Sequence, residues 1–226
     1  MKGWAVFALF CVFVPGATLV SALPASAAVG PDGREASFKL PEPRTSGGGG
    51  VFDALSGRAS ASQGGFPSGE ISAEELSTIL WAACGRNRPE KGLTVPTAMA
   101  LDPYAKIYVL GARGSFLYNW KNHTLDTVGR DDLRGAVGRQ SFVSRAAYVL
   151  VIASDGRALA AFNSPRAGEW GAVLAGAMSQ NIYLAAGAMN IGTRYMASMN
   201  EDAVRSGLKL AAGDTPICLM PLGKAR

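Results

Sequence analysis

From Trp170 to Asn190 the chain is one long apolar segment rich in small residues, interrupted by a single polar pair, Gln180-Asn181. A buried amide without a partner costs about 1–3 kcal/mol, so this helix is expected to pack at a polar seam, a subunit interface or a bound polar ligand. Asn190 and Gly192 supply its stop. Upstream, Leu76, Ile79, Leu80 and Ala83 recur at helical spacing, and Ser72 with Glu75 three residues later forms a capping box. A helix is predicted from Ser72 to near Gly85. Ile107–Leu110 and Phe116–Trp120 are β-rich runs around a glycine-containing turn, the pattern of a hairpin. Tyr148–Ala153 is continuously apolar, as a buried central strand would be. Shorter helices are expected at Val51–Ser56, at Asp131–Val137 and, capped by Asn200, at Glu201–Leu208. Thr193–Met196 and Pro216–Met220 are expected as strands. Without strict strand–helix alternation, the mixture indicates an α+β domain: a central mixed or antiparallel sheet flanked by helices.

The two ends of the pattern fall outside that domain. Lys2, an apolar run from Trp4 to Val14, Pro15-Gly16 and a small-residue stretch read as a secretory signal peptide over residues 1–27. The apolar run is too short to cross about 30 Å of hydrocarbon. The protein is therefore expected to be exported, periplasmic or secreted, with no stable membrane anchor after cleavage. Without a twin-arginine pair ahead of the run, export is expected to precede folding. Residues 28–50, rich in glycine, proline and charge, read as a flexible lead or wrapping arm, leaving 51–226 as one domain. The chain has 226 residues and a net charge of +5, with its cations dispersed, which argues against nucleic acid. Past the leader, Cys84 and Cys218 read as buried small hydrophobes in preference to a disulfide.

Candidate chemistry is narrowed by what is missing. A single histidine, His123, rules out a metal site built on several histidines. GxSxG and GxGxxG are both absent, against a hydrolase elbow and a Rossmann dinucleotide site. His123, in NWKNHTLD, reads as an exposed turn residue.

Three separated segments carry a resemblance. Arg58-Ala59-Ser60-Ala61-Ser62 resembles an arginine-x-serine-x-basic motif, with Ser62 in the second basic place. LWAACGRNRP followed by Pro96-Thr97-Ala98-Met99-Ala100-Leu101-Asp102-Pro103 and the strand KIYVL is similar to LLWAA-GxNR and PSAGALYP, with Met99 for glycine and Asp102 for an aromatic residue. AGAMSQNIYLAAGAMNIGTRY and SGLKLAAGDTPICLMPLGK resemble a QN-x-x-LAA helix, its glycine-ended turn and a closing P-x-G-K strand; Ala197 and Ser198 stand where relatives carry an acidic residue and glycine. Together these mark a resemblance to the nitroreductase superfamily, specifically to SagB-type dehydrogenases.

The resemblance implies a nitroreductase-like fold, a homodimer and FMN as cofactor, acting by ping-pong hydride transfer to or from a small organic substrate. It implies that Arg58, Ser60, Lys224 and Arg226 approach the FMN phosphate, with Ser62 in the same motif. Thr97, Ala98, Met99 and Ala100 would line the flavin ring. Arg88 would add a positive group, and Gln180 and Gly192 would belong to the cofactor site through the long helix and its turn. A second possibility stays open, an exported protein of this fold that has lost flavin and serves as a binding or assembly module.

Overall fold

The computed structural model describes residues 27–29, 35–89, 92–98 and 101–225. Of the expected leader, only Ala27 lies among them. Met99, Ala100 and Arg226 also lie outside the described residues.

Eight strands form one sheet among the described residues. They are β1 (Ala27–Val29), β2 (Glu35–Lys39), β3 (Ala105–Gly111), β4 (Gly114–Asn119), β5 (Thr124–Gly129), β6 (Tyr148–Ser154), β7 (Ile191–Thr193) and β8 (Thr215–Lys224). Their order is β1-β2-β5-β4-β3-β6-β8-β7, and every pairing is antiparallel, which settles the choice between a mixed and an antiparallel sheet. Central β6 is buried along its whole length. Its alternate residues explain why: Leu150 and Ile152 join the core under the long helices, while Val149, Val151 and Ala153 join a second core on the opposite face. Layers on both faces leave no exposed position in this strand, and its terminal Ser154 is buried with its hydroxyl directed to the Thr215 carbonyl at 3.4 Å.

The helices are α1 (Val51–Gly57), α2 (Ala73–Cys84), α3 (Arg134–Val137), α4 (Gly156–Ala160), α5 (Ala167–Ala188) and α6 (Glu201–Gly207). Ser72 caps α2 as expected: its Oγ accepts from the Glu75 N–H at 3.2 Å, and the Glu75 carboxylate accepts from the Ser72 N–H at 2.9 Å. Asn200 caps α6. α5 buries Leu174, Ala175, Met178, Ser179, Ile182 and Ala186 toward the sheet. Asn190, at φ 57°, takes the left-handed conformation that ends the helical run. The reversal is so tight that β7 begins at Ile191, ahead of the expected Thr193. Gly192 is thus a strand residue and leaves the turn to Asn190.

Four elements were not foreseen. β5 has one buried residue, Leu125, too little to register as an apolar alternation. α4 is a single turn capped by Asp155. β1 and β2 lie in or beside the 28–50 lead, which to that extent wraps the domain: Phe38 meets Phe116 edge-on at 5.6 Å and Leu40 is 2% exposed. Cys84 and Cys218 are both buried and unpaired, and burial pushes their thiols up to about 12 and about 11.

The histidine departs from its expected exposure. His123 is half-buried at φ 53° in the β4–β5 turn. Its Nε2 lies 2.7 Å from Ser77 Oγ and 3.2 Å from the Pro41 carbonyl, and its Nδ1 lies 2.9 Å from the Tyr118 hydroxyl. Ser77 is fully buried, so this trio braces the lead against α2 and the hairpin and offers no open nucleophile. Burial holds the His123 pKa below its ordinary value, with Lys39 acting in the same direction and the Pro41 carbonyl and Glu42 opposing.

Candidate functional site

After α1 the chain leaves helical geometry at Arg58 and runs as a strap, residues 58–69, across the ends of β7 and β8. The Ala61 N–H donates to the Thr193 carbonyl at 2.9 Å, and Gly69 and Lys224 exchange backbone bonds of 2.8 and 3.1 Å. Two glycines allow so close an approach. A Cβ on Gly223 would sit 1.8 Å from the Pro67 carbonyl oxygen, and one on Gly192 would sit 2.4 Å from Pro67 Cγ.

This strap brings Arg58, Ser60, Gly192 and Lys224 to one corner, with Ser62 exposed beside them. Tyr183 of α5 organises it. The Arg58 guanidinium lies 5.2 Å from the Tyr183 ring centroid. The Tyr195 N–H donates to Tyr183 Oη at 2.7 Å, and Tyr183 Oη is 2.7 Å from Ser60 Oγ. Either hydroxyl can be the donor in the Ser60–Tyr183 contact, because Tyr183 Oη can accept from the Tyr195 N–H and still either donate or accept once more. When Tyr183 donates, the Ser60 hydroxyl proton is free to donate outward. Lys224 is paired with Glu75, whose other carboxylate oxygen serves the α2 cap. Thr193 Oγ1, buried beneath the strap, has no hydrogen-bond partner among the described residues.

A second cluster lies along the same helix. Two residues before Tyr183, Asn181 donates to the carbonyls of Ala82 (2.9 Å) and Thr94 (3.0 Å), so the polar seam anticipated for this amide joins α5 to α2 and the following loop. Gln180 incurs no burial cost, because it is exposed. The loop borders a cleft of about 550 Å³ lined by Arg86, Arg88, Thr97, Leu101, Asp102 and Trp120. Arg88 lies over Gly92. Arg86 and Lys121 each place their charge over the Trp120 ring, at 5.6 and 5.3 Å from its centroid. Thr97 Oγ1 closes the loop on the Leu101 carbonyl at 2.7 Å, and Ala98 packs on the main core.

The sequence-derived set therefore separates into a corner (Arg58, Ser60, Ser62, Gly192, Lys224) and a cleft (Arg88, Thr97, with Ala98 beside it), tied together by α5. Sequence reasoning missed Tyr183, Arg194, Tyr195 and Trp120. Tyr183 carried a usable signal, since a tyrosine on the buried side of a helix needs a partner for its hydroxyl.

The model of the nitroreductase family matches residues 65–224, which include α2, the cleft loop, α5 and the closing β7–β8 pair. The chain belongs to the nitroreductase family. A protein of Methanocaldococcus jannaschii that carries a provisional nitroreductase name is 30% identical over 169 residues, spanning 70% of this chain and 84% of its own. A provisionally named nitroreductase from Ralstonia eutropha has a crystal structure with a TM-score of 0.78 at 28% identity, covering 92% of this chain and 97% of that one. The NADPH:FMN oxidoreductase of Vibrio harveyi, in complex with NAD+, shares the fold at a TM-score of 0.55 and 21% identity, over 77% of this chain and 68% of its own. This nitroreductase-family chain is thus an oxidoreductase of the nitroreductase type, with the α+β fold of its relatives.

Proposed function

We propose that this nitroreductase-family protein is an FMN-dependent oxidoreductase of the SagB-like type, working as a homodimer on a small organic substrate. The observation that carries this reading is the convergence of Arg58 and Ser60 with the β7–β8 end. An arginine fork and an exposed serine hydroxyl form a donor set suited to a phosphate monoester. The orphaned Thr193 Oγ1 in the same corner fits a polar ligand there. When bound, FMN supplies a ring that takes up a hydride from a donor and releases it to an acceptor in a separate half-reaction.

The chain's own residues bind and orient. Arg58 and Ser60 hold phosphate, and Lys224 shares its charge between that phosphate and Glu75. The backbone of Thr97 and Ala98 borders the ring. No protein nucleophile is needed, in keeping with a lone histidine committed to bracing the lead.

The homodimer is supported by apolar surface that this chain leaves open. Val51, Phe52 and Leu55 of α1 are 60%, 82% and 48% exposed, and Val173 of the adjoining α5 is 71% exposed. α1 has no buried residue of its own, so a second copy is the occupant we assign to this face. The leader-like first 27 residues support a periplasmic or secreted location.

A flavin-free binding module has one observation in its favour, the engagement of Lys224 by Glu75 beside an uncharged Ser62. Reconstitution separates the two readings. The purified protein is loaded with FMN, freed of excess, and its visible spectrum recorded with a phosphorus count. One FMN per chain is expected; a folded dimer that retains none would establish the binding-module reading.

A further inference from the structure

Ser62 leaves the corner one positive charge short of the basic motif it resembles, and Lys224 is already paired with Glu75. Another cation is nevertheless built into the same place. Arg194, the first residue after β7, is half-buried, and its Nη1 donates to the Ala61 carbonyl at 3.0 Å. Ala61 is the residue between Ser60 and Ser62. One of the five guanidinium donors is thereby engaged, and no carboxylate pairs with Arg194 among the described residues.

The surroundings fix this position from two sides. Ala61 is tied to Thr193 by its own N–H, and Tyr195 is tied to Tyr183 Oη, which meets Ser60 Oγ. Arg194 is therefore held between two residues whose neighbours already shape the corner. A half-buried arginine tethered by one bond has lost much of its rotamer freedom before any ligand arrives, which lowers the cost of engaging its remaining donors.

We infer that Arg194 is the second cation of this anion site, supplying from the β7 turn the charge that position 62 lacks, and that its ligand is a phosphate monoester, here the phosphate of FMN. The inference rests on the flavin reading above. It assigns Arg194 a direct contact with the phosphate in addition to its tether on Ala61.

The test compares FMN with riboflavin, which shares the ring and lacks the phosphate. Dissociation constants for both are measured on the wild type, R194A and the double variant S62K/R194A. R194A is expected to weaken FMN by about tenfold or more while leaving riboflavin unchanged. S62K/R194A is expected to recover FMN affinity, because the charge returns to the strap. Equal losses for FMN and riboflavin would reduce Arg194 to a tether and overturn the proposal. FMN affinity unchanged in R194A, or no recovery in the double variant, would also overturn it. Wild-type protein that binds neither flavin would instead bring down the flavin reading, and this inference with it.

Discussion

The corner and the cleft lie along one helix but are held in opposite ways. The bonds that hold the strap in the corner join segments far apart in sequence, Ala61 to Thr193, Gly69 to Lys224 and Ser60 to Tyr183, while the Tyr195 N–H reaches Tyr183 Oη across the α5–β7 reversal. The cleft loop closes mostly on itself, through Asn87 to Gly92, Thr94 to Gly85, and Thr97 to Leu101. It is tied to the helices by the two Asn181 bonds, by the Thr94 hydroxyl on the Trp81 carbonyl and by the Trp81 indole N–H on the Arg86 carbonyl. A geometry enforced by distant segments exists only once the whole domain has folded, and suits a group that never changes, such as a phosphate. A locally closed loop can adjust with little cost elsewhere, and suits a ligand that varies.

The sharpest way to break this contrast is to lift the strap. Gly223→Ala puts a Cβ against the Pro67 carbonyl, where the neighbour is backbone and cannot swing aside. We expect a stability loss of about 2–3 kcal/mol, measured by denaturant unfolding, together with loss of FMN retention. Tyr183→Phe is a milder attack on the same corner. It keeps the ring under Arg58 and removes the hydroxyl that serves Ser60 and the Tyr195 N–H. A loss of about 1–3 kcal/mol is expected, with FMN weakened more than riboflavin.

Asn181→Ala addresses the cleft side and leaves the Ala82 and Thr94 carbonyls without this donor. It is expected to cost about 1–2 kcal/mol and to raise hydrogen exchange in residues 92–98 with exchange at the strap unchanged. Equal loosening of both regions would show that corner and cleft are one cooperative unit.

The smallest effect concerns the lead. His123 has a folded-state pKa below its ordinary value, so the unfolded chain binds the proton more readily. The stability it contributes is complete above about pH 6.5, the ordinary histidine value, and is lost as the pH falls from there through the lower folded pKa. His123→Asn should flatten that part of the stability–pH profile. A wild-type profile that rises on acidification through this window would contradict the burial argument.

The elements legible in the sequence were those with a strong local signature. The Ser72–Glu75 box, the Asn200 cap and the β3–β4 hairpin all stand where the pattern placed them. β2 and β5 stayed hidden because each is short and weakly apolar, and each becomes a strand through its partner: Phe38 opposite Leu125 is a long-range pairing that no window of sequence contains. The same reason separates the visible from the invisible site residues. Arg58 and Ser60 sit in a contiguous motif, whereas Arg194 gains its place only through a bond to Ala61, 133 residues earlier. His123 was misread as exposed because its three partners come from separate segments, Pro41 from the loop after β2, Ser77 from α2 and Tyr118 from β4.

The central claim is that the strap corner holds the phosphate of a flavin, and it is tested most directly by retained FMN in Arg58→Ala beside the wild type. The guanidinium is exposed and serves no buried bond, so the variant should fold with an unchanged circular dichroism spectrum. One FMN per wild-type chain and marked loss of flavin in a folded Arg58→Ala is the result expected. Equal flavin in both would remove Arg58 from the site and contradict the account.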